Sequence, residues 1–258
     1  MTNNELQQLS KDFFQNSLDS SPTSAIMRGH KQYFDQIEEL NEETFEKETE
    51  AVNDFISRLE NIDLESLSNR EKVTHGMLEF ALSSNKDSLM DRSWEFGAGV
   101  SGFTSFLIDY NQQMFVPDSE SADMLLKRLE LYKRLFLQIA DVQMIGLKNN
   151  RVATERNLLR TIDQLENYLG SSIEEDPLLL INFSPEISDS FISDWKEKAK
   201  KIIDSNIRPT VLAYFEQLKS DHIPKGRSDE HSGIMWIDGG EETYSEQLIN
   251  WKIIWAYL

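Results

Sequence analysis

The sequence predicts an all-α protein: a multi-helix bundle-like body with one short extended turn segment near its C-terminus. Three observations lead there. Apolar residues recur at helical spacing through most of the 258 residues, and strand-like alternation is scarce. The composition, 39% hydrophobic and 10% aromatic, suits a packed core rather than disorder, and a chain of this size buries roughly 70–75% of its extended surface on folding. No low-complexity linker and no repeat divides the chain, so residues 1–258 read as a single helical region.

Each element has its own signal. Leu6, Leu9, Phe13 and Phe14 line one face of a first short helix, which stops before Pro22. Phe45, Val52, Phe55, Ile56 and Leu59 repeat at sevens and at threes or fours, predicting a helix from about Glu42 to Asn61. Ser68 and Glu71 have the spacing of a capping box, where each side chain satisfies the other residue's exposed N–H. The helix that follows is expected to carry Val73, Met77, Phe80 and Ala81 as one stripe. From Asp91 to Pro117 the pattern loosens. Gly97, Gly99 and Gly102 sit among Trp94, Phe96, Phe103 and Phe106, which suggests short helices broken by tight, buried backbone.

Asp118 and Ser119 then supply N-cap candidates for a long helix faced by Ala122, Leu125, Leu126, Leu129, Tyr132, Leu135, Phe136 and Ile139. The next helix carries Val152, Leu158, Leu159, Ile162, Leu165 and Leu169, with Gly170 placed as its C′ residue. Another runs from about Pro185 and carries Phe191, Trp195, Ala199, Ile202 and Ile203. Pro209 falls inside a pattern that resumes at Val211, Leu212, Phe215 and Leu218, so a kink or a restart is expected there. Gly233 to Gly240 reads as a short extended segment and turn, with a last helix starting near Glu241.

Lys and Arg number 26 against 45 Asp and Glu, a formal charge of −19. Nucleic acid and anionic membrane surfaces repel such a chain, so neither is expected as a partner. The absence of Cys excludes a disulfide framework, Cys-ligated zinc, Fe–S clusters and thiol catalysis. Residues 1–6 show neither a basic nor an apolar leader region, and no run approaches the length of a membrane span. A soluble, cytoplasmic protein is therefore the expectation.

Catalytic signals are thin. The four histidines are His30, His75, His222 and His231, and no two have the one-turn spacing of a His-Glu-x-x-His zinc helix. Asp221-His222 with Asp229-Glu230-His231 is the nearest cluster; it reads either as a metal site or as solvated loop residues. His75 reads as an exposed or half-buried helical residue. Residues 97–102 are glycine-rich but lack the Gly-Lys-Ser/Thr ending of a phosphate loop. The carboxylate runs Glu38-Glu39, Glu42-Glu43 and Glu174-Glu175-Asp176 read as solvated faces. Arg151, Arg156 and Arg160 lie along one helix poor in acidic residues, with Arg156 and Arg160 one turn apart, and read as a carboxylate clamp or as surface pairs with Glu155 or Glu166. Trp251 to Leu258 is apolar at seven of eight positions and needs something to pack against.

Four segments, in order, resemble the bacterial domain-of-unknown-function 885 family. Ser21-Pro22-Thr23-Ser24-Ala25 through Gly29 and Tyr33 is similar to the family's opening pattern. Gly146 through Arg151, Arg156, Leu165 and Pro177-Leu178 looks like its middle stretch, although Asn150 stands where glycine is usual. Ile207-Arg208-Pro209 through Tyr214 resembles a later helix, and Gly233 through Gly240 to Tyr244 resembles its glycine–tyrosine turn.

The resemblance covers nearly the whole chain but only the N-terminal half of a typical member. It implies a zinc-metallopeptidase-like protein whose His-Glu-x-x-Pro-Gly-His-type motif lies downstream, so that zinc is expected in full-length relatives and no cofactor in this chain. It also implies that this half walls a substrate cleft, with Gly240 and Tyr244 as cleft-proximal candidates. The implied partner is the missing C-terminal catalytic half, docking near Trp251, Ile254 and Trp255. The alternative is a stand-alone acidic helical module for protein interaction or regulation, anchored by Trp251–Leu258 and Trp236.

Overall fold

In the computed structural model, residues 4–97, 110 and 113–245 are described. Among them are helices α1 (Asn4–Asp19), α2 (Pro22–Met27), α3 (Glu42–Glu60), α4 (Asn69–Asp91), α5 (Ser119–Lys148), α6 (Glu155–Gly170), α7 (Asp189–Ile202) and α8 (Arg208–Gln217). Two short strands, β1 (Phe115–Val116) and β2 (Asn182–Phe183), several 3₁₀ turns and the π turns Ile203–Ile207 and Leu218–His222 complete the described elements. The fold is all-α. It comprises two compact units: Met1–Ser20 with Asn41–Ser93 and Gly233–Leu258, and Ser21–Leu40 with Trp94–Ser232.

In the first unit α1, α3 and α4 pack around Leu6, Leu9, Phe55, Leu59, Leu78 and Leu82. Asn41 caps α3 by accepting the Thr44 N–H at 2.9 Å. The capping box of α4 forms as its spacing predicts: Ser68 Oγ accepts the Glu71 N–H, and Glu71 Oε2 accepts the Ser68 N–H. The expected stripe of α4 is not its buried face, however. His75, Leu78 and Leu82 point inward, and Val73, Met77 and Phe80 are exposed. His75 is buried because its Nε2 donates to the Leu59 carbonyl at 3.3 Å, a partner that a buried imidazole requires.

The second unit is organised on α5. Asp118 caps it by accepting the Ser121 N–H at 2.9 Å. Ala122, Leu125, Leu129, Tyr132, Leu135, Phe136 and Ile139 form its buried line, as their spacing predicts. Trp195 on α7 donates its indole N–H to the Ala122 carbonyl at 2.7 Å, fixing one helix against the other. β1 and β2 pair in parallel, Phe115 with Asn182 and Val116 with Phe183, and the Phe183 ring meets Trp195 edge-on.

The helix restarts at Pro209, one of the two outcomes that the sequence predicts: α8 begins at Arg208 with Pro209 in its first turn. A π turn at Ile203–Ile207 precedes α8, with the backbone helical on both sides, so the residue without an N–H falls in the first turn of α8. Gly170 stays within the last turn of α6, and Ser171 rather than a left-handed glycine follows it. Gly233–Gly240 is a 3₁₀ turn, Ile234–Trp236, between extended Gly233 and Ile237; residues 240–245 are helical.

Candidate functional site

The corner at residues 233–245 carries both cleft candidates. Gly239 has φ +73°, a conformation open to glycine. A Cβ on Gly240 would lie 1.7 Å from the Ile234 carbonyl oxygen, so only glycine lets the helix start against the preceding turn. The Gly240 N–H donates to the Ile237 carbonyl at 2.9 Å, and Thr243 Oγ1 donates to the Gly239 carbonyl at 3.0 Å. Ile237 and Thr243 are buried beneath. The corner is thereby fixed, and it holds Met235, Trp236 and Tyr244 half exposed. Gly240 is a packing position. Tyr244 presents a half-exposed ring and phenol.

The other motif segments are joints of the second unit. Thr23 gives both its N–H (2.9 Å) and its hydroxyl (2.8 Å) to the Glu38 carboxylate. Arg128 of α5, fully buried, reaches Thr23 and the Gln36 carbonyl and lies 3.8 Å from Glu38. The opening motif therefore anchors residues 21–40 to α5, and Glu38 is no solvated carboxylate. In the middle motif, a Cβ on Gly146 would lie 2.3 Å from the Glu95 carbonyl oxygen. Arg151 pairs with Glu95 at 2.6 Å in a buried setting and stacks on Phe96. Asn150 has φ +54°, a left-handed conformation that asparagine adopts more readily than most residues other than glycine. Arg227 donates its side-chain Nε–H to the Val152 carbonyl at 2.7 Å, and burial lowers its basicity.

Asp176 is likewise fully buried rather than solvated. It accepts from Arg208 at 3.1 and 3.2 Å and caps the Leu178 N–H at 3.1 Å. Arg208 also donates to the Ser171 carbonyl at 2.9 Å and lies over the Tyr168 ring. Burial, reinforced by Asp176, pushes the Tyr168 phenol well above its ordinary range. Burial does the same to Tyr214, whose hydroxyl donates to Gln143 at 2.7 Å.

The histidines do not converge. His222 is buried on a π turn, not solvated, with Nε2 3.4 Å from the Gln143 carbonyl. His231 is exposed and meets Ser228 at 3.2 Å. Among the described residues, no three of His, Asp and Glu form a group able to hold a metal ion. The described side chains therefore do not assemble a zinc site, which needs at least three converging donors. Arg151, Arg156 and Arg160 form no clamp, since Arg151 is committed to Glu95 and Arg156 pairs with Asp229. Trp251, Ile254 and Trp255 lie outside the described residues, as do Gly99, Gly102, Phe103 and Phe106.

The family model described as "Bacterial protein of unknown function (DUF885)" matches residues 22–252. No curated protein matches the chain. Among solved structures, the crystal structure of the "putative lipoprotein" from Colwellia psychrerythraea shares the fold at a TM-score of 0.76 and 14% identity. The match covers 95% of this chain and 46% of that one, so this chain spans about half the length of the structure it resembles. No described helix is long and apolar enough to cross a membrane.

Proposed function

This chain belongs to the DUF885 family of bacterial proteins, and we propose that it is the N-terminal helical part of a zinc-metallopeptidase-like member, inactive by itself. When held by a His-Glu-x-x-His-type set in a complete protein, zinc supplies an activated water for hydrolysis of a peptide or similar amide. The residues of this chain bind and wall the cleft: the corner fixed by Gly240 presents Tyr244 to the substrate, and within the second unit the buried Arg128, Arg151 and Arg208 joints hold its helices in place.

One observation carries this reading. The chain spans 46% of the solved structure it resembles, and among its described residues no metal-holding group forms. Zinc titrated into the purified protein is expected to produce no hydrolysis of a mixed peptide library. Robust zinc-dependent turnover by this chain alone overturns the proposal. A cytoplasmic location belongs to the same reading, and cell fractionation tests it.

The half-exposed Met235 and Trp236 favour a second reading, a stand-alone acidic interaction module anchored there and at Trp251–Leu258. A monodisperse, cooperatively melting protein whose Trp236→Ala variant retains every partner recovered with the parent argues against it.

A further inference from the structure

Helix α4 carries apolar residues on two faces. His75, Leu78 and Leu82 face the core with α1 and α3, and Val73, Met77 and Phe80, 63%, 69% and 44% exposed, form a second stripe two turns long. Between them sits Gly76, where an added Cβ would meet nothing within 4 Å. Glycine in an exposed helix interior weakens the helix relative to alanine, and exposed apolar side chains at helical spacing gain nothing from water. Knobs flanking a gap on one face are the surface that another helix packs into.

Three observations select the occupant. The stripe falls far short of the about 800 Å² per partner that a stable complex between separate chains buries. A second copy, which also carries the same charge of −19, is therefore a poor fit. A segment joined covalently needs far less area, because it does not lose translational freedom on docking. Among the described residues, large exposed apolar side chains are concentrated in the smaller first unit, nine of the fifteen, and that unit also contains the last described residues, 233–245. Polypeptide that follows residue 245 leaves from the same unit as α4. The fold shared with the C. psychrerythraea protein has more than half of that chain outside the matched part.

We infer that the Val73, Met77 and Phe80 face of α4 seats an amphipathic helix from the C-terminal half of the longer fold; this rests on the reading of the chain as an N-terminal part. The chain has no cysteine, so Met77→Cys introduces a single thiol at an exposed position. Maleimide labelling of that thiol is expected to proceed at the rate of a free thiol. A single thiol at the aligned α4 position of the longer C. psychrerythraea protein is expected to label about tenfold more slowly or less, because reaction there requires local opening. Equal, fast labelling in both proteins overturns the inference, and so does slow labelling in this chain. Val73→Cys repeats the measurement should Met77→Cys fail to give the parental circular dichroism spectrum. Zinc-dependent hydrolysis by the longer protein is read on the same samples. A protected thiol without hydrolysis defeats the metallopeptidase reading and leaves the seat standing; hydrolysis with an unprotected thiol does the reverse.

Discussion

At the scale of single residues, Asp118 shows how a cap and an ion pair combine. The Lys31 ammonium at 2.6 Å, and then the Ser121 N–H, hold its carboxyl down from 3.8 to about 2. A carboxylate depressed in this way contributes stability above its unfolded pKa, and the contribution disappears as pH falls through the folded one. The melting temperature is therefore expected to drop between about pH 4 and about pH 2. The drop in Asp118→Asn should be shallower, since the amide keeps the cap but cannot titrate. Superimposable melting curves for the two proteins across that window would show that the pair contributes nothing. Asp118 was legible in the sequence, because a cap is a local signal. Asp176 and His75 were not. Their burial depends on Arg208 and on the Leu59 carbonyl, far along the chain, and residue type alone reads Asp176 as solvated and His75 as exposed or half-buried. Gly146 and Gly240 were legible as motif members, but the carbonyls that exclude a side chain at each are visible only in three dimensions.

At the scale of elements, most helices follow from spacing and caps, and α4 shows where spacing fails. Val73, Met77 and Phe80 form one helical stripe and Leu78 and Leu82 another, so the sequence offers two phases and no rule for choosing between them. Packing against α1 and α3 decides, and it buries the second. Leu82→Ala is accordingly expected to destabilise the protein by about 3 kcal/mol through lost burial and a residual cavity. Met77→Ala should stay within about 0.5 kcal/mol, as an exposed substitution does. Urea denaturation of both variants measures the difference; the reverse order would assign the core to the other stripe. The β1–β2 pair escaped for a different reason. Two-residue strands carry no alternation to detect, and a parallel pairing between distant segments leaves no local trace. The turn before Pro209 is an intermediate case: the missing donor was visible, but whether the helix would kink, restart or widen into a π turn depends on what packs around it.

At the scale of the whole molecule, a charge of −19 on 258 residues acts on every part of the fold at once. Folding brings these carboxylates closer together than the unfolded chain does, so net repulsion opposes the compact state. Local ion pairs oppose that tendency. The exposed ones, such as Lys47 with Glu43, contribute about 0–1 kcal/mol and are screened by salt. The buried joints at Arg128, Arg151 and Arg208 are shielded from mobile ions and screen far less. Salt should therefore relieve the repulsion while sparing the strongest attractions. Going from about 10 mM to about 150 mM sodium chloride shortens the screening length from about 30 Å to about 8 Å, and the melting temperature is expected to rise. A fall would mean that the surface pairs together outweigh the excess of negative charge. In that case the acidic surface would be organised as a stabilising network rather than tolerated as a solvated one.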